Sequence, residues 1–183
     1  MPWQNTVGSN KWVVLVSALL LGVFGLLSLP GKGYSLANTK DLQSLTIEMR
    51  RLYCGAGCPV YTITIHGDGT VEYVGQQFVR DRGPEHLVLS QDQIHDLLKE
   101  FDRADFFRLE ERAFAWGYHT PRFGVRITVD GKSKEVKSDR YDVGAESGPQ
   151  ARFAEAAAAI DRFVGTDRWV KCGDSRCPPQ LLP

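Results

Sequence analysis

The sequence predicts an α+β fold in which an antiparallel sheet built from β-hairpins carries two helices on one face. Two hairpins are indicated by alternating apolar residues around an Asp-Gly turn, once at 68–69 and once at 130–131. A segment whose apolar residues have helical spacing follows each hairpin. One extra strand precedes the first hairpin, so the predicted order is β-ββ-α-ββ-α in a two-layer sandwich.

The strands are predicted from the alternation of apolar and polar residues. In "LTIEMRRL", Leu45, Ile47 and Met49 share one face, which is typical of a half-buried strand. The second hairpin has residues 123–129 as its first arm and Val136 on its return arm. The other predicted strand segments are rich in β-branched and aromatic residues and span 60–66, 71–73, 78–79 and 86–89.

Each predicted helix has a recognisable boundary and one apolar stripe. Ser90 and Gln93 have the spacing of a capping box at the start of the first helix. Pro149 suits the first turn of the second helix, and Gly165 is placed to end it. The stripes, at helical spacing, are Ile94, Leu97, Leu98 and Phe101 in the first helix and Phe153, Ala157, Ile160 and Val164 in the second.

An uncharged apolar run, "WVVLVSALLLGVFGLLSL", occupies residues 12–29 directly after Lys11. Ser35 and Ala37 follow as small residues two apart, which completes the pattern of a cleaved secretory signal. The run is also close to the minimum length for crossing a bilayer, so a retained anchor is the alternative. We expect the rest of the chain to be extracytoplasmic, periplasmic or secreted, or anchored in the cytoplasmic membrane by residues 12–29.

These patterns divide the chain into four parts. Residues 1–37 are predicted to be a signal peptide or membrane anchor, 38–44 a linker, 45–166 the α+β domain and 167–183 an irregular tail that contains cysteine. The 22 basic and 22 acidic side chains give a formal net charge of zero, which offers no electrostatic footprint for nucleic acid. We therefore expect no nucleic-acid partner, and membrane contact only through the N-terminal apolar segment.

The stretch "CGAGCPVYTITIHGDGTVEYVG" resembles the signature of a bacterial family, the domain of unknown function DUF6438. In that family, a Cys-x-x-x-Cys-Pro-x-Tyr motif leads into a strand, a Gly-Asp-Gly turn and a return strand. The resemblance continues through "LSQDQIHDLLKEFDRADFF", "RITVDGKSKEVK" and "AAIDRF". One difference is His119 in "YHTP", where the family is expected to have Asp. The resemblance implies the fold and an exported setting, and it implies no established activity.

Four cysteines, Cys54, Cys58, Cys172 and Cys177, raise three chemical alternatives. In an oxidising compartment an even number of cysteines favours disulfides. A redox dithiol or a copper site at Cys54 and Cys58 is the alternative, since thiolates are nucleophilic and bind Cu(I). Both are disfavoured because Pro59 leads this pair into a strand, whereas redox and copper-chaperone motifs of thioredoxin-like proteins precede a helix.

The pairing of the cysteines has two forms. Local bridges, Cys54–Cys58 and Cys172–Cys177, each close a short glycine-containing loop. Crossed bridges would tie the tail to the sheet and, on chain entropy, would stabilise the fold more. The DUF6438 resemblance favours the local form, because that family carries the first pair without the second.

An aromatic segment, "AFAWGYHTPRF", offers Trp116, Tyr118 and His119 as a binding surface, and covering the edge of the sheet is the alternative role. No catalytic or phosphate-binding motif occurs in the sequence, and we expect no catalytic residue, no metal and no cofactor. The function favoured is a non-catalytic binding or envelope-associated module with an unknown protein or envelope partner. The alternative is an extracytoplasmic thiol redox or copper-handling protein that uses Cys54 and Cys58.

Overall fold

A computed structural model describes residues 35–39, 41–53, 57–113, 122–138, 148–172 and 177. Seven strands and three helices lie within these ranges. The strands are β1 (Thr46–Leu52), β2 (Val60–His66), β3 (Thr70–Gln77), β4 (Gly83–Val88), β5 (Arg112–Ala113), β6 (Arg122–Val129) and β7 (Lys132–Ser138). The helices are α1 (Gln91–Arg103), α2 (Pro149–Val164) and α3 (Asp167–Val170), with a 3-10 turn at Phe106–Arg108.

All the strands belong to one sheet of order β4-β3-β2-β1-β6-β7-β5. Strand β1 is central because it pairs antiparallel with β2 on one side and with β6 on the other. The two hairpins therefore lie on either side of β1, and among the described strands only the short β5 is parallel to its neighbour β7. The predicted α+β fold with an antiparallel sheet and two main helices is confirmed.

The core lies between one face of the sheet and helices α1 and α2. Alternate residues of the strands face this core, as Ile47, Met49 and Ile63 illustrate with no exposed surface. The buried side chains of both helices belong to the same apolar cluster as that sheet face. The opposite sheet face carries polar residues such as Thr64 and Arg126. The alternation in the sequence thus separates a buried apolar face of the sheet from a polar face.

The helix boundaries follow the predicted capping. The Ser90 hydroxyl accepts a hydrogen bond from the Gln93 amide at 3.2 Å, and the Gln93 side chain accepts one from the Ser90 amide at 2.9 Å. Gly165 adopts a left-handed conformation, φ 69°, where α2 ends, and its amide donates to the Asp161 carbonyl. A residue with a side chain would be strained at that φ, which explains the glycine.

The structure differs from the sequence expectations at the margins of the domain. Leu42, within the predicted linker, is buried, and the tail predicted to be irregular begins with the helical turn α3. Strand β5 has no sequence signal, because two residues are too few to show a period. Phe78, placed by prediction in a strand, instead follows β3 with a φ of 53°. Among the described residues, no helix is both long and apolar enough to cross a bilayer, and residues 12–29 lie outside them.

The two ends of the sheet have different kinds of connection. At one end, which we call the turn end, β2 and β6 pass into β3 and β7 through the tight turns at 67–69 and 130–131. At the other, which we call the loop end, β1 and β7 finish and β2 and β6 begin. Strands β1, β3 and β7 all end at the loop end. The connections that follow them, which are longer than the hairpin turns, therefore begin there.

Candidate functional site

Cys58 lies at the loop end, on the short segment that leads into β2. It is half-buried and disulfide-bonded, and the other member of the predicted pair, Cys54, lies outside the described residues. Gly57 precedes it with a φ of 75°, and Pro59 follows it directly before the strand. Activated thiolates are typical of helix N-termini, and no helix begins at Cys58. The local structure therefore favours a structural disulfide at this corner of the sheet over a reactive thiol.

Cys172 and Cys177 form a second bridge, with a Cα–Cα distance of 5.0 Å. Cys177 is 4% exposed, and its Sγ lies 3.1 Å from the carbonyl oxygen of Val170. The bridge is local, and it fixes a point of the tail against the end of α3. The second cysteine pair thus stabilises the loop end of the domain rather than offering a thiol to solvent.

Loss of this second bridge is expected to have a modest effect on stability. Replacing Cys172 by Ser should lower the free energy of unfolding by about 2 kcal/mol, because a short closed loop restricts the unfolded chain only slightly. Denaturant unfolding of the variant and of the parent protein, both with the Cys58 bridge intact, measures the difference. A loss above about 5 kcal/mol would contradict a purely local role for the bridge.

Exposed or half-buried apolar side chains lie at the same end of the sheet as Cys58. Leu52, the last residue of β1, and Tyr53, which follows it, are 43% and 55% exposed, and they are two of the few large apolar residues in the described ranges with that much solvent contact. The ring of Phe78 lies 6.2 Å from that of Tyr53, centroid to centroid. Its carbons also lie 3.5 Å from where a side chain on Gly57 would begin. We call Leu52, Tyr53 and Phe78 the corner patch.

The backbone of Phe78 is strained. Its φ of 53° lies in the left-handed region, which a bulky aromatic residue adopts at a cost of about 1–3 kcal/mol. The register between β2 and β3 also shifts at Val60 and Tyr61, next to this point. Such strain persists where the surrounding structure holds a side chain in a particular place. Here it places an aromatic ring beside Gly57 and Tyr53 at the loop end.

A buried polar network at the loop end joins the sheet to α2. Arg51 is 5% exposed, and its Nη2 donates to Oδ2 of Asp161 at 2.5 Å. The Tyr61 hydroxyl donates to the other carboxylate oxygen at 2.8 Å, and the Thr166 hydroxyl donates to the same oxygen at 3.0 Å. The guanidinium of Arg51 also lies 5.0 Å from the ring centroid of Phe123. Asp161 thus connects β1, β2 and the end of α2.

An aromatic stack continues the core toward the same end. Tyr73 lies stacked on Trp169 with 4.7 Å between ring centroids, and Tyr61 lies 5.5 Å from Tyr73. The Asp81 amide donates to the Trp169 carbonyl at 2.9 Å, which ties the β3–β4 connection to α3. Burial raises the pKa of Tyr73 well above its ordinary value, and the carboxylates of Asp81 and Asp161 raise it further. Tyr73 therefore stays protonated and serves as a packing residue, not as a base.

Trp116, Tyr118 and His119, the predicted aromatic binding surface, lie outside the described residues. The two described residues that flank this segment, Ala113 and Arg122, both lie at the loop end. Arg122 is opposite Leu52 in the register of β1 and β6, and Ala113 is opposite Ser138 at the end of β7. The topology therefore brings both flanks of the aromatic segment to the same end of the sheet as Cys58.

The histidines, which could supply nitrogen ligands to a copper ion, are dispersed in the described part of the chain, and His119 lies outside it. His66 lies at the end of β2 at the turn end, His86 on the edge strand β4, and His95 on α1 with its Nδ1 2.8 Å from the Gln91 carbonyl. Within the described ranges, no group of three or more His, Cys, Asp or Glu side chains has the arrangement of a metal site. Nothing in these ranges adds a nitrogen ligand to Cys58.

The family model described as a domain of unknown function, DUF6438, matches residues 45–164. The chain belongs to this family. The matched range of the DUF6438 domain begins one residue before β1 and ends at the last residue of α2, so it covers the sheet and both main helices. Arg51, Tyr61 and Asp161 lie inside it, whereas α3 and the Cys172–Cys177 bridge lie beyond it. A search of curated proteins found no match to the chain.

Two features of the DUF6438 domain could not be recognised among the candidate residues of the sequence. The Arg51–Asp161 pair has a partial signal, since Arg51 lies in phase with Ile47 and Met49 on the apolar face of β1. A charged residue in a buried phase requires a partner, but the partner is distant in sequence. The contact between Tyr53 and Phe78 has no signal, because it depends on the left-handed backbone at Phe78.

Proposed function

We propose that this DUF6438 protein is exported or membrane-anchored and acts as a non-catalytic module that binds a protein partner through the loop end of its sheet. The observation that carries the proposal is the corner patch, three apolar side chains at the same end of the sheet as the disulfide-bonded Cys58. Binding residues are concentrated on loops that a rigid scaffold positions. The loop end has this character, whereas the two hairpins are closed at the turn end by tight turns.

The chemistry of the patch favours a protein as the partner. Aromatic side chains and arginine are enriched in protein interfaces, and a leucine with two aromatic rings gives a central apolar contact. Arg50 lies two residues before Leu52 on the same sheet face and is 44% exposed on its side chain, so it provides a charged rim. The Trp116, Tyr118 and His119 segment, with both flanks at this end, is proposed to extend the same surface.

The disulfide state of Cys58 supports an oxidising compartment and argues against the redox or copper alternative. A Cu(I) site needs two thiolates, and a dithiol enzyme needs a thiol whose pKa is lowered by its surroundings. Cys58 is in a disulfide, precedes a strand and lacks a described histidine nearby. A structural bridge at this corner would fix the geometry of the patch, which is the role we assign to it.

The proposal is tested by site-specific photocrosslinking in the native host. The full chain carries the photoreactive residue p-benzoylphenylalanine at Tyr53, and the matched control carries it at Asp68, an exposed residue at the turn end. We expect a discrete protein adduct from Tyr53 and none from Asp68. Co-expressed unlabelled chain should compete the adduct away, whereas chain with Leu52→Ser and Tyr53→Ser should not.

The competition arm separates specific binding from chance contact. Both substituted side chains are well exposed, so the competitor is expected to keep the stability of the parent protein within about 0.5 kcal/mol. Equal adducts from the two positions, an adduct only with lipid or with a second copy of the chain, or equal competition by the two competitors would each overturn the proposal.

A further inference from the structure

The segment that precedes the predicted linker is bound to helix α1 by one carboxylate. Asp102, the penultimate residue of α1, accepts a hydrogen bond from the Ser35 hydroxyl at 2.8 Å. Its two carboxylate oxygens also accept hydrogen bonds from the backbone amides of Leu36 at 2.7 Å and of Ala37 at 2.9 Å. Three donors on consecutive residues thus converge on a single side chain. Charged acceptors make stronger hydrogen bonds than neutral ones, so this is a specific attachment.

The same segment contributes to the hydrophobic core. Leu36 is 1% exposed and belongs to the apolar cluster that joins the sheet to the helices. The Thr39 amide donates to the Leu36 carbonyl at 3.0 Å, which turns the chain back after the buried side chain. Thr39 is itself buried. Residues 35–39 therefore have the burial and the hydrogen bonds of a domain element.

This packing bears on where a leader peptide can be removed. The small residues Ser35 and Ala37 fit a signal cleavage pattern, and the cut would fall between Ala37 and Asn38. That cut would remove Leu36 from the core and leave a cavity, which destabilises a close-packed interior. It would also remove all three donors from Asp102. The product would be a domain without one of its core residues.

We infer that Ser35–Ala37 belong to the mature domain, and that the chain is either cut before Ser35 or retains its N-terminal apolar run. The inference rests on the proposed function in so far as a leader acts only on an exported chain. It deepens that proposal, because it moves the start of the mature chain from residue 38, and the start of the folded domain from residue 45, to residue 35 or earlier. Asp102 is then a positioning residue for the N-terminal segment.

The first test is intact-mass and N-terminal sequencing of the full chain after expression in the native host. We expect the mature polypeptide to begin at Ser35 or earlier, or to be uncut. A mature polypeptide that begins at Asn38 or at any later residue would overturn the inference. A chain that stays in the cytoplasm with reduced cysteines would instead overturn the proposed export.

The second test judges the attachment independently of export. Hydrogen exchange on the purified full chain should show protected amides at Leu36 and Ala37. Replacing Asp102 by Ala should raise their exchange rates about tenfold or more, since a hydrogen bond to a charged group is lost. Asp96→Ala is the matched control, because Asp96 is an exposed aspartate on the same helix that pairs with Lys99. Unprotected amides in the parent protein, or equal rates in the two variants, would contradict the attachment.

Discussion

Replacing Asp161 by Ala is expected to lower the free energy of unfolding by about 3–5 kcal/mol. The substitution removes the carboxylate that pairs with the Arg51 guanidinium, which is 5% exposed in the parent protein. The hydroxyls of Tyr61 and Thr166 lose the same acceptor. Since removing one partner of a buried ion pair costs far more than the pair contributes, the effect should exceed that of most single substitutions. Denaturant unfolding followed by tryptophan fluorescence measures it.

Two controls make this prediction specific. Asp96→Ala removes an aspartate from an exposed ion pair on α1 and should leave the unfolding midpoint unchanged. A variant that carries both Arg51→Met and Asp161→Ala should lose less free energy of unfolding than the two single variants lose in sum, because neither charge of the pair then lacks the other. Additive losses, or an Asp161→Ala effect no larger than that of Asp96→Ala, would show that the network does not hold β1 and β2 to α2.

The second large effect is expected at Gly67, in the first hairpin turn. A Cβ on this residue would lie 1.5 Å from the carbonyl oxygen of Leu42, a distance at which the backbone of the preceding segment must move. The Gly67 amide also donates to the Leu45 carbonyl at 3.0 Å, so the two segments are fastened together. Gly67→Ala should therefore cost about 3 kcal/mol or more, measured as a lowered melting temperature.

Gly124 provides the matched control for this substitution. It lies within β6, and a Cβ there would have its nearest neighbour at 3.4 Å, an ordinary contact with the flexible side chain of Lys137. Gly124→Ala should be neutral or stabilise the fold by about 0.5–1 kcal/mol, because alanine restricts the unfolded chain. If Gly67→Ala proves as harmless as Gly124→Ala, residues 41–45 do not cross the hairpin turn as closely as the structure shows.

The sheet, its hairpins and the two main helices were predictable because each rests on a local pattern. Alternation in β1 and a capping box at Ser90 are properties of a few consecutive residues, and the structure keeps them. The strand order was not accessible in the same way. Pairing of β1 with β6 joins residues far apart in the chain, and no local pattern encodes that choice.

The candidate site was predictable only in part, for the same reason. The cysteines and the aromatic segment stand out as residue types. That Cys58 and the two described residues flanking that segment, Ala113 and Arg122, lie at one end of the sheet follows from the register of the strands. The attachment of Ser35 to Asp102 is the feature that the sequence predicted least well, since a segment that resembles a cleavage site is packed against α1. Small residues suit a peptidase and a close backbone contact equally well, and sequence alone cannot separate the two.

The two ends of the sheet together give a consistent physical picture of the DUF6438 domain. The turn end is closed by short hairpins and by the crossing of residues 41–45, with no exposed apolar cluster among its described residues. At the loop end, the Arg51–Asp161 network joins the sheet to α2, and the stack of Tyr73 on Trp169 joins it to α3. A rigid scaffold that positions the exposed Tyr53 ring and the half-buried Phe78 ring lowers the entropic cost of binding, which is what the proposed role requires.

The most direct test of the central claim is the redox state of Cys58 in the native host. The claim is that the cysteine corner is an exported structural bridge beneath a binding surface. Cells are treated with a membrane-permeable alkylating reagent, either directly or after reduction of their disulfides. The alkylated cysteines of the chain are then identified by mass spectrometry. We predict that Cys58, Cys172 and Cys177 are unmodified before reduction and fully modified after it. A Cys58 that is alkylated without reduction, with a thiol pKa below its ordinary value, would contradict the account and favour redox or copper chemistry.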